Sequence, residues 1–329
     1  MLEKLRGKRV IFVGDSLNRN QFESLSCLLY TALPSAQAKL AASRAHFRVK
    51  LIFFFLHTRK VTPCCFGINR RASFFCLQEY DFTLELHWSP FLIQLEPNYA
   101  NGSKTLRLDT ISDTAKKWKG ADVMVFNSGH WWTHHGNFRL WDSYEYNGKV
   151  VDEMEIESAY AAALQTWAHW IDTNVDSSKT KVFFRSISPV HSGIQACVSK
   201  TKPLTGDEYL NVHTYPNAMK QVLERTIEGM KTPIKYLNIT KLSQFRADAH
   251  PGYYMRSKRR MLRSRRKHKK SKTETLTIPE QPKSEIISKQ PQPISKQTYI
   301  PAADCNHWCL PGLPDTWNNL LYASILFDS

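Results

Sequence analysis

The feature that most constrains this chain is a short apolar run closed by a turn residue. Lys8 to Val13 reads Lys-Arg-Val-Ile-Phe-Val and stops at Gly14. A run this short, apolar at consecutive positions, fits a strand covered on both faces. Asn18 to Leu33 then carries apolar residues at helical spacing. The pattern recurs: Ala121 to Phe126, Val182 to Ile187 and Ile234 to Leu237 read as buried strands, and Phe82 to Leu95 as one or two strands broken at Pro90. Met154 to Ile171 sets Tyr160, Leu164, Trp167 and Ile171 on one face of a helix. Further helices are predicted over Asn217 to Met230 and Asp315 to Leu326. Buried strands alternating with helices predict an α/β fold around a parallel sheet.

Two stretches interrupt the alternation, and they carry the charge. The formal net charge is +16, yet Arg256 to Lys272 holds eleven Lys or Arg and no acid, and Ser24 to Gln78 holds eight and no acid. The rest of the chain is slightly acidic, so a polyanion-binding reading rests on these segments alone. Residues 256–300 continue into Lys, Gln, Pro, Ser and Thr, with no aromatic among the basic residues for bases to stack on. They are predicted to be a disordered insertion, and no nucleic-acid partner is expected. Residues 39–77 have no clear period and read either as an anomalous insertion from a faulty gene model or as a genuine loop or hairpin. The chain then divides into 1–38, the start of a catalytic α/β domain, 78–255, its main part, and 301–329, a C-terminal block with a closing helix. No apolar run approaches the roughly 20 residues of a membrane-spanning helix, and Met1 to Arg9 is too polar for a signal peptide.

In an open α/β sheet, chemistry collects at the carboxyl ends of the strands. Gly14-Asp15-Ser16 follows the first strand, Asn127-Ser128-Gly129-His130-Trp131-Trp132 the second, and Arg185 to His191 the third. Ser16 sits where a strand becomes a helix, so helix N-terminal amides lie near its hydroxyl. A serine nucleophile needs a base, and the base an orienting acid. Asp304 and His307, three residues apart near the C-terminus, supply both. Gly-Asp-Ser alone equally describes a helix cap, but with Asp-x-x-His at the other end of one domain it points to serine acyl chemistry. His130 is a rival base, ranked lower because it lacks an adjacent acid.

Val13-Gly-Asp-Ser-Leu-Asn-Arg-Asn-Gln21 and Asp304-Cys-Asn-His-Trp-Cys-Leu-Pro-Gly-Leu-Pro-Asp-Thr-Trp-Asn318 resemble the two signature blocks of the plant trichome birefringence-like family. Trp88 to Leu92, Asn127 to Trp132, Thr166 to Trp170 and Phe184 to His191 also resemble family blocks. The resemblance implies an SGNH-hydrolase-like three-layer fold and polysaccharide O-acetyltransferase activity. It implies a triad of Ser16, His307 and Asp304, and an acetyl-serine intermediate whose acetyl passes to a hydroxyl of a cell-wall polysaccharide, xylan first, pectin or mannan otherwise. An esterase using water in place of the sugar is the alternative. Asn127 resembles an oxyanion-hole asparagine, or simply orders its loop. Trp131 and Trp132 either stack on sugar rings or pack in the core. Arg185 and His191 line an acceptor groove or serve buried structural roles.

The family also implies a Golgi location, an N-terminal membrane anchor and a Cys-rich N-terminal subdomain. This chain begins just before its first strand, so that anchor and subdomain are expected to be missing. The resemblance pairs Cys197 with Cys305 and directs Cys27 and Cys309 to the missing subdomain, which makes an inactive truncated paralogue a further expectation. No Cys or His spacing suggests zinc, and no bound cofactor is expected beyond an acetyl donor. Sequons at Asn101 and Asn238 are compatible with a secretory route.

Overall fold

The computed structural model describes residues 1–32, 39–44, 47–50, 72–77, 80–100, 102–134, 136, 139–191, 197, 200–212, 217–251 and 304–327, those between 39 and 77 as backbone strands only. The first strands are β1 (Arg9–Gly14), β2 (Lys39–Arg44), β3 (Phe47–Lys50), β4 (Ala72–Leu77), β5 (Phe82–Trp88) and β6 (Ile93–Pro97). They are followed by β7 (Lys104–Ile111), β8 (Val123–Phe126), β9 (Ser143–Tyr146), β10 (Lys149–Val151), β11 (Lys181–Arg185) and β12 (Ile234–Leu237). The helices are α1 (Leu2–Leu5), α2 (Ser16–Thr31), α3 (Ile156–Asn174), α4 (Asn217–Glu228), α5 (Thr240–Gln244) and α6 (Leu313–Phe327).

The main sheet has the order β12-β11-β8-β1-β5-β4-β2-β3. Its first five strands are parallel, as the apolar runs predict. Alternation within those runs divides the core into two layers. Ile11, Val13, Met124, Phe126, Val182 and Phe184 face α3 and α4, where Tyr160, Leu164, Trp167, Met219 and Leu223 wait. Val10, Phe12, Val123, Val125 and Phe183 face the other way, onto Phe22 and Leu25 of α2 and Leu321 of α6. Helices on both faces of a parallel sheet give the three-layer arrangement of an SGNH-like fold.

Residues 39–44, 47–50 and 72–77 supply the antiparallel strands β2, β3 and β4, which extend the sheet beyond β5. Residues 51–71 and the expected insertion at 256–300 lie outside the described residues. One feature departs from the sequence expectation: a separate sheet of order β10-β9-β7-β6, which sequence periodicity did not reveal. β10 is exposed throughout and β7 buries only two alternate positions, so Leu106, Leu108, Ile93 and Tyr144 are the apolar side chains of this sheet held deep in the core. Pro90 does break the run between Phe82 and Leu95, and the two halves enter different sheets.

One ion pair ties the central strands together. Arg9 of β1 makes a two-pronged contact with Glu85 of β5, at 2.7 and 2.8 Å, and Glu85 also meets His87 Nε2 at 2.9 Å. Burial opposes the Glu85 carboxylate, but His87 and Arg9 overcome it and hold its pKa down at about 2. Because that pKa is depressed, the stabilisation is present above the unfolded carboxylate pKa and is lost as the pH falls towards the folded value. Glu85→Gln is expected to cost about 1.5–3 kcal/mol near neutral pH. In urea unfolding, the gap between variant and parent should narrow steadily as the pH drops below about 4.

Candidate active site

β1, β5 and β8 end level with one another, since Gly14 lies beside Trp88 and Val13 beside Phe126. The site is built on that edge. Gly14 has φ +150°, and a Cβ there would lie 1.9 Å from Asn127 Oδ1 and 2.5 Å from its carbonyl oxygen. Only glycine lets the chain pass Asn127 at this distance. Asp15 then caps α2, its Oδ1 accepting the Leu17 N–H at 2.9 Å and Asn127 Nδ2 at 2.8 Å. The Asp15 N–H donates in return to Asn127 Oδ1 at 3.1 Å. Ser16 is the first residue of α2, at the positive end of its dipole.

The partner of Ser16 arrives from 291 residues away, with His307 Nε2 at 2.7 Å from Ser16 Oγ. Behind it, His307 Nδ1 lies 2.9 Å from Asp304 Oδ2. Asp304 Oδ1 accepts the backbone N–H groups of Asn306 and His307, so one carboxylate closes the turn and aims the ring. A carboxylate only accepts, so Nδ1 carries the proton and Nε2 offers its lone pair to the serine O–H. Burial disfavours the Asp304 carboxylate, but His307 and the two N–H groups pull its pKa down to about 2. Burial also disfavours the charged His307 ring, but Asp304 outweighs it and raises that pKa above the ordinary histidine value.

Docking of the C-terminal block on α2 positions this pair. Asn20 accepts the Trp308 N–H at 2.9 Å and donates to its carbonyl at 3.1 Å. Asn318 donates to the Gln21 carbonyl and to Ser24 Oγ, and Ser24 bonds Asp315. The Cys197–Cys305 disulfide that the resemblance implied is present, with a Cα–Cα distance of 5.5 Å, and anchors the residue next to Asp304. Cys27 carries a free thiol on the exposed side of α2.

The other expected site residues divide. His130 lies close enough to Asp15, Asp304 and His307 to feel their charges, and burial lowers its pKa. Trp131 is half-buried, with its ring 6.0 Å from that of Trp88 and 4.8 Å from that of His134. Asn127 is fully buried, and its amide is committed to Asp15 at both ends, so it orders the loop beside Ser16. Trp132 does not offer a sugar-stacking surface. It is fully buried among Phe91, Trp141 and Tyr160, with its indole N–H bonded to Ser128 Oγ. Arg185 and His191 do not line a groove either, for both are fully buried. Arg185 donates to Asn18 Oδ1 and the Ser186 carbonyl, and burial pushes its pKa down to about 10 against the pull of Asp15. His191 is bonded to His250 and the Gln244 carbonyl. Sequence reasoning missed Asn18, Asn20 and His250. The signal for the first two was present, as polar side chains on the inner face of a helix otherwise spaced to bury apolar ones.

A family model described as a GDSL/SGNH-like acyl-esterase family found in Pmr5 and Cas1p, PC-Esterase, matches residues 1–272 and 283–324. Among Arabidopsis thaliana proteins, Protein trichome birefringence is 38% identical over 336 residues, covering 99% of this chain and 46% of that protein. Protein trichome birefringence-like 1 is 38% identical over 337 residues, with 99% and 50% covered. Protein trichome birefringence-like 36 is 34% identical over 330 residues, with 100% and 71% covered. The chain thus spans about half the length of the first two of these relatives.

Two variants test this geometry. Gly14→Ala forces Asn127 aside, and should cost about 1–3 kcal/mol of stability and roughly 100-fold or more in turnover. Cys197→Ser opens a cross-link spanning 108 residues. Denaturant unfolding should show a loss of about 2–5 kcal/mol, and added reductant should bring the parent down to the same level.

Proposed function

Because this chain belongs to the PC-Esterase family of GDSL/SGNH-like acyl-esterases, we propose that it is a serine O-acetyltransferase acting on a plant cell-wall polysaccharide. The observation that carries the proposal is the 2.7 Å contact between His307 Nε2 and Ser16 Oγ, backed by Asp304 at 2.9 Å. The acceptor is read as xylan first, with pectin and mannan as the alternatives, and the setting as the Golgi lumen.

In the first half-reaction Ser16 Oγ attacks the acetyl carbonyl of the donor while its proton moves to His307 Nε2. Asp304 stabilises the imidazolium so formed. The positive end of α2 at Ser16 favours the negative charge that develops on the carbonyl oxygen. His307 passes the proton to the departing donor group, leaving acetyl-Ser16. In the second half-reaction a sugar hydroxyl attacks the acetyl carbon and gives its proton to His307. The bond to Ser16 Oγ breaks, and the proton returns to the serine.

Hydrolysis is the second reading, with water in place of the sugar. It is favoured by the exposure of the dyad, with Asp304 and His307 side chains 34% and 33% accessible. The two readings separate in one assay: acetylated oligosaccharide accumulates in the first, free acetate alone in the second.

Ser16→Ala should abolish both products, and persistence of either would remove Ser16 from the reaction. His307 must be neutral to accept a proton, and its pKa is raised. Activity should therefore fall on the acid side with a midpoint above the ordinary value of about 6.5. Asp304→Asn removes the charge that raises it, so the midpoint should drop and kcat fall by roughly 100- to 10,000-fold. An acid limb that stays put in this variant would mean another group is titrating.

A further inference from the structure

His250 Nδ1 lies 2.7 Å from the backbone carbonyl of His307. On its other side, His250 Nε2 lies 2.7 Å from His191 Nδ1, and His191 Nε2 lies 2.8 Å from the Gln244 carbonyl. Both rings are fully buried. The indole of Trp308 stacks on His250, with ring centroids 3.8 Å apart and planes 28° apart.

The protons in this chain of contacts can be counted. A carbonyl oxygen only accepts, so His250 Nδ1 and His191 Nε2 must each carry a hydrogen. A neutral imidazole holds one hydrogen, which would leave two bare lone pairs facing each other at 2.7 Å. Lone pairs at that distance repel, and a third proton between them removes the conflict. Three protons on the four ring nitrogens leave the pair with one positive charge.

From this geometry we infer that His191 and His250 form a buried, singly charged imidazole pair sharing one proton, and that the pair positions the general base by fixing the His307 backbone. The inference rests on the reading of His307 as the base for Ser16. Both members are positioning residues: neither touches Ser16, and the link to the reaction runs through the His307 carbonyl. The backbone N–H of His191 also donates to the Cys305 carbonyl, which adds a second hold on the same segment.

The charged and titratable groups facing the pair come from two places. Asp248 lies in the turn after α5 and is itself paired with Arg246 at 2.9 Å. Asp304 and His307 lie in the C-terminal block. Burial pushes both rings towards the neutral form, His250 down to about 3, with His191 and His307 adding to the push on His250, while the Gln244 and His307 carbonyls and then the two aspartates pull the other way. Burial alone would empty the shared position near neutral pH. The 2.7 Å N···N separation argues against that, because two neutral rings donating to carbonyls have nothing to hold them so close. The face of Trp308 is also a favourable neighbour for a cationic ring. The pair therefore gains and loses its third proton as a unit.

The test needs two kinds of measurement. The first is side-chain nitrogen and proton NMR of the full chain with labelled histidine, at about pH 6. Three protonated ring nitrogens in the pair, with a far-downfield proton resonance lost in both His191→Phe and His250→Phe, is the expected result. Two neutral rings would overturn the inference, whatever the enzyme acts on. The second is the rate at which Ser16 is labelled by a fluorophosphonate, which reports the dyad without any acceptor. His250→Phe should slow labelling about 10- to 100-fold. His250→Asn, whose amide replaces Nδ1 as donor to the His307 carbonyl, should recover most of that loss. If His250→Asn folds as the parent does but labels no faster than His250→Phe, the positioning role fails. If the parent itself is not labelled, the reading of Ser16 as nucleophile fails, and the NMR result still decides the charged pair.

Discussion

The arrangement depends on one short contact, in which the Asn20 side chain clamps the Trp308 peptide through its N–H and its carbonyl. Asn20 lies one helical turn after Ser16 on α2, and Trp308 directly follows His307. The clamp therefore sets the distance between Ser16 and His307, two residues from opposite ends of the chain. An amide is suited to this task because it presents one donor and one acceptor in a plane, as a peptide does. Around it, Asn318, Ser24 and Asp315 join α6 to α2, and the Cys197–Cys305 bond holds the incoming segment. The Asn20 amide finds both its partners, which is what lets a buried polar group favour one geometry.

The floor of the site follows the same logic. Gly14, Asp15 and Asn127 are packed too closely for any side chain at position 14. The close approach lets the Asn127 amide find both its partners on Asp15, through the Asp15 N–H and Oδ1. Asn18 reaches further in and donates to the carbonyls of Val13 and Val125, where the strand ladders end. Arg185 caps that network from below, with its guanidinium 5.0 Å from the ring centre of Trp317. A charge buried this completely is tolerable only because fixed acceptors and an aromatic face surround it.

Much of this was legible in the linear text. The parallel strands could be read because β1, β8 and β11 lie between two helical layers, and burial on both faces writes an apolar run, while the edge strand β12 is only partly buried. The second sheet left no such mark, since β7 and β9 keep only part of their length buried and carry charges on the rest. Ser16, Asp304 and His307 were recognisable because their chemistry demands those residue types. Burial was harder to read. Trp131 and Trp132 are adjacent and identical, yet one is half-buried and the other wholly enclosed, a difference that arises from the direction of a single 3-10 turn. Arg185 and His191 looked like groove residues because polar side chains follow a strand end there. They point inward instead, to partners on α2 and in the segment around His250.

The sequence by itself determined the α/β class, the strands of the parallel core and the choice of candidate reactive groups. Each of these follows from local pattern or from the chemistry a side chain can perform. Only the tertiary structure decided that His307 meets Ser16, that Asn127 is bound to Asp15, and that two buried histidines stand behind the base. These are contacts between residues far apart in the chain, and their distances depend on how helices pack on a sheet. Side-chain type limits what a residue can donate or accept; packing alone decides which partner is within 3 Å.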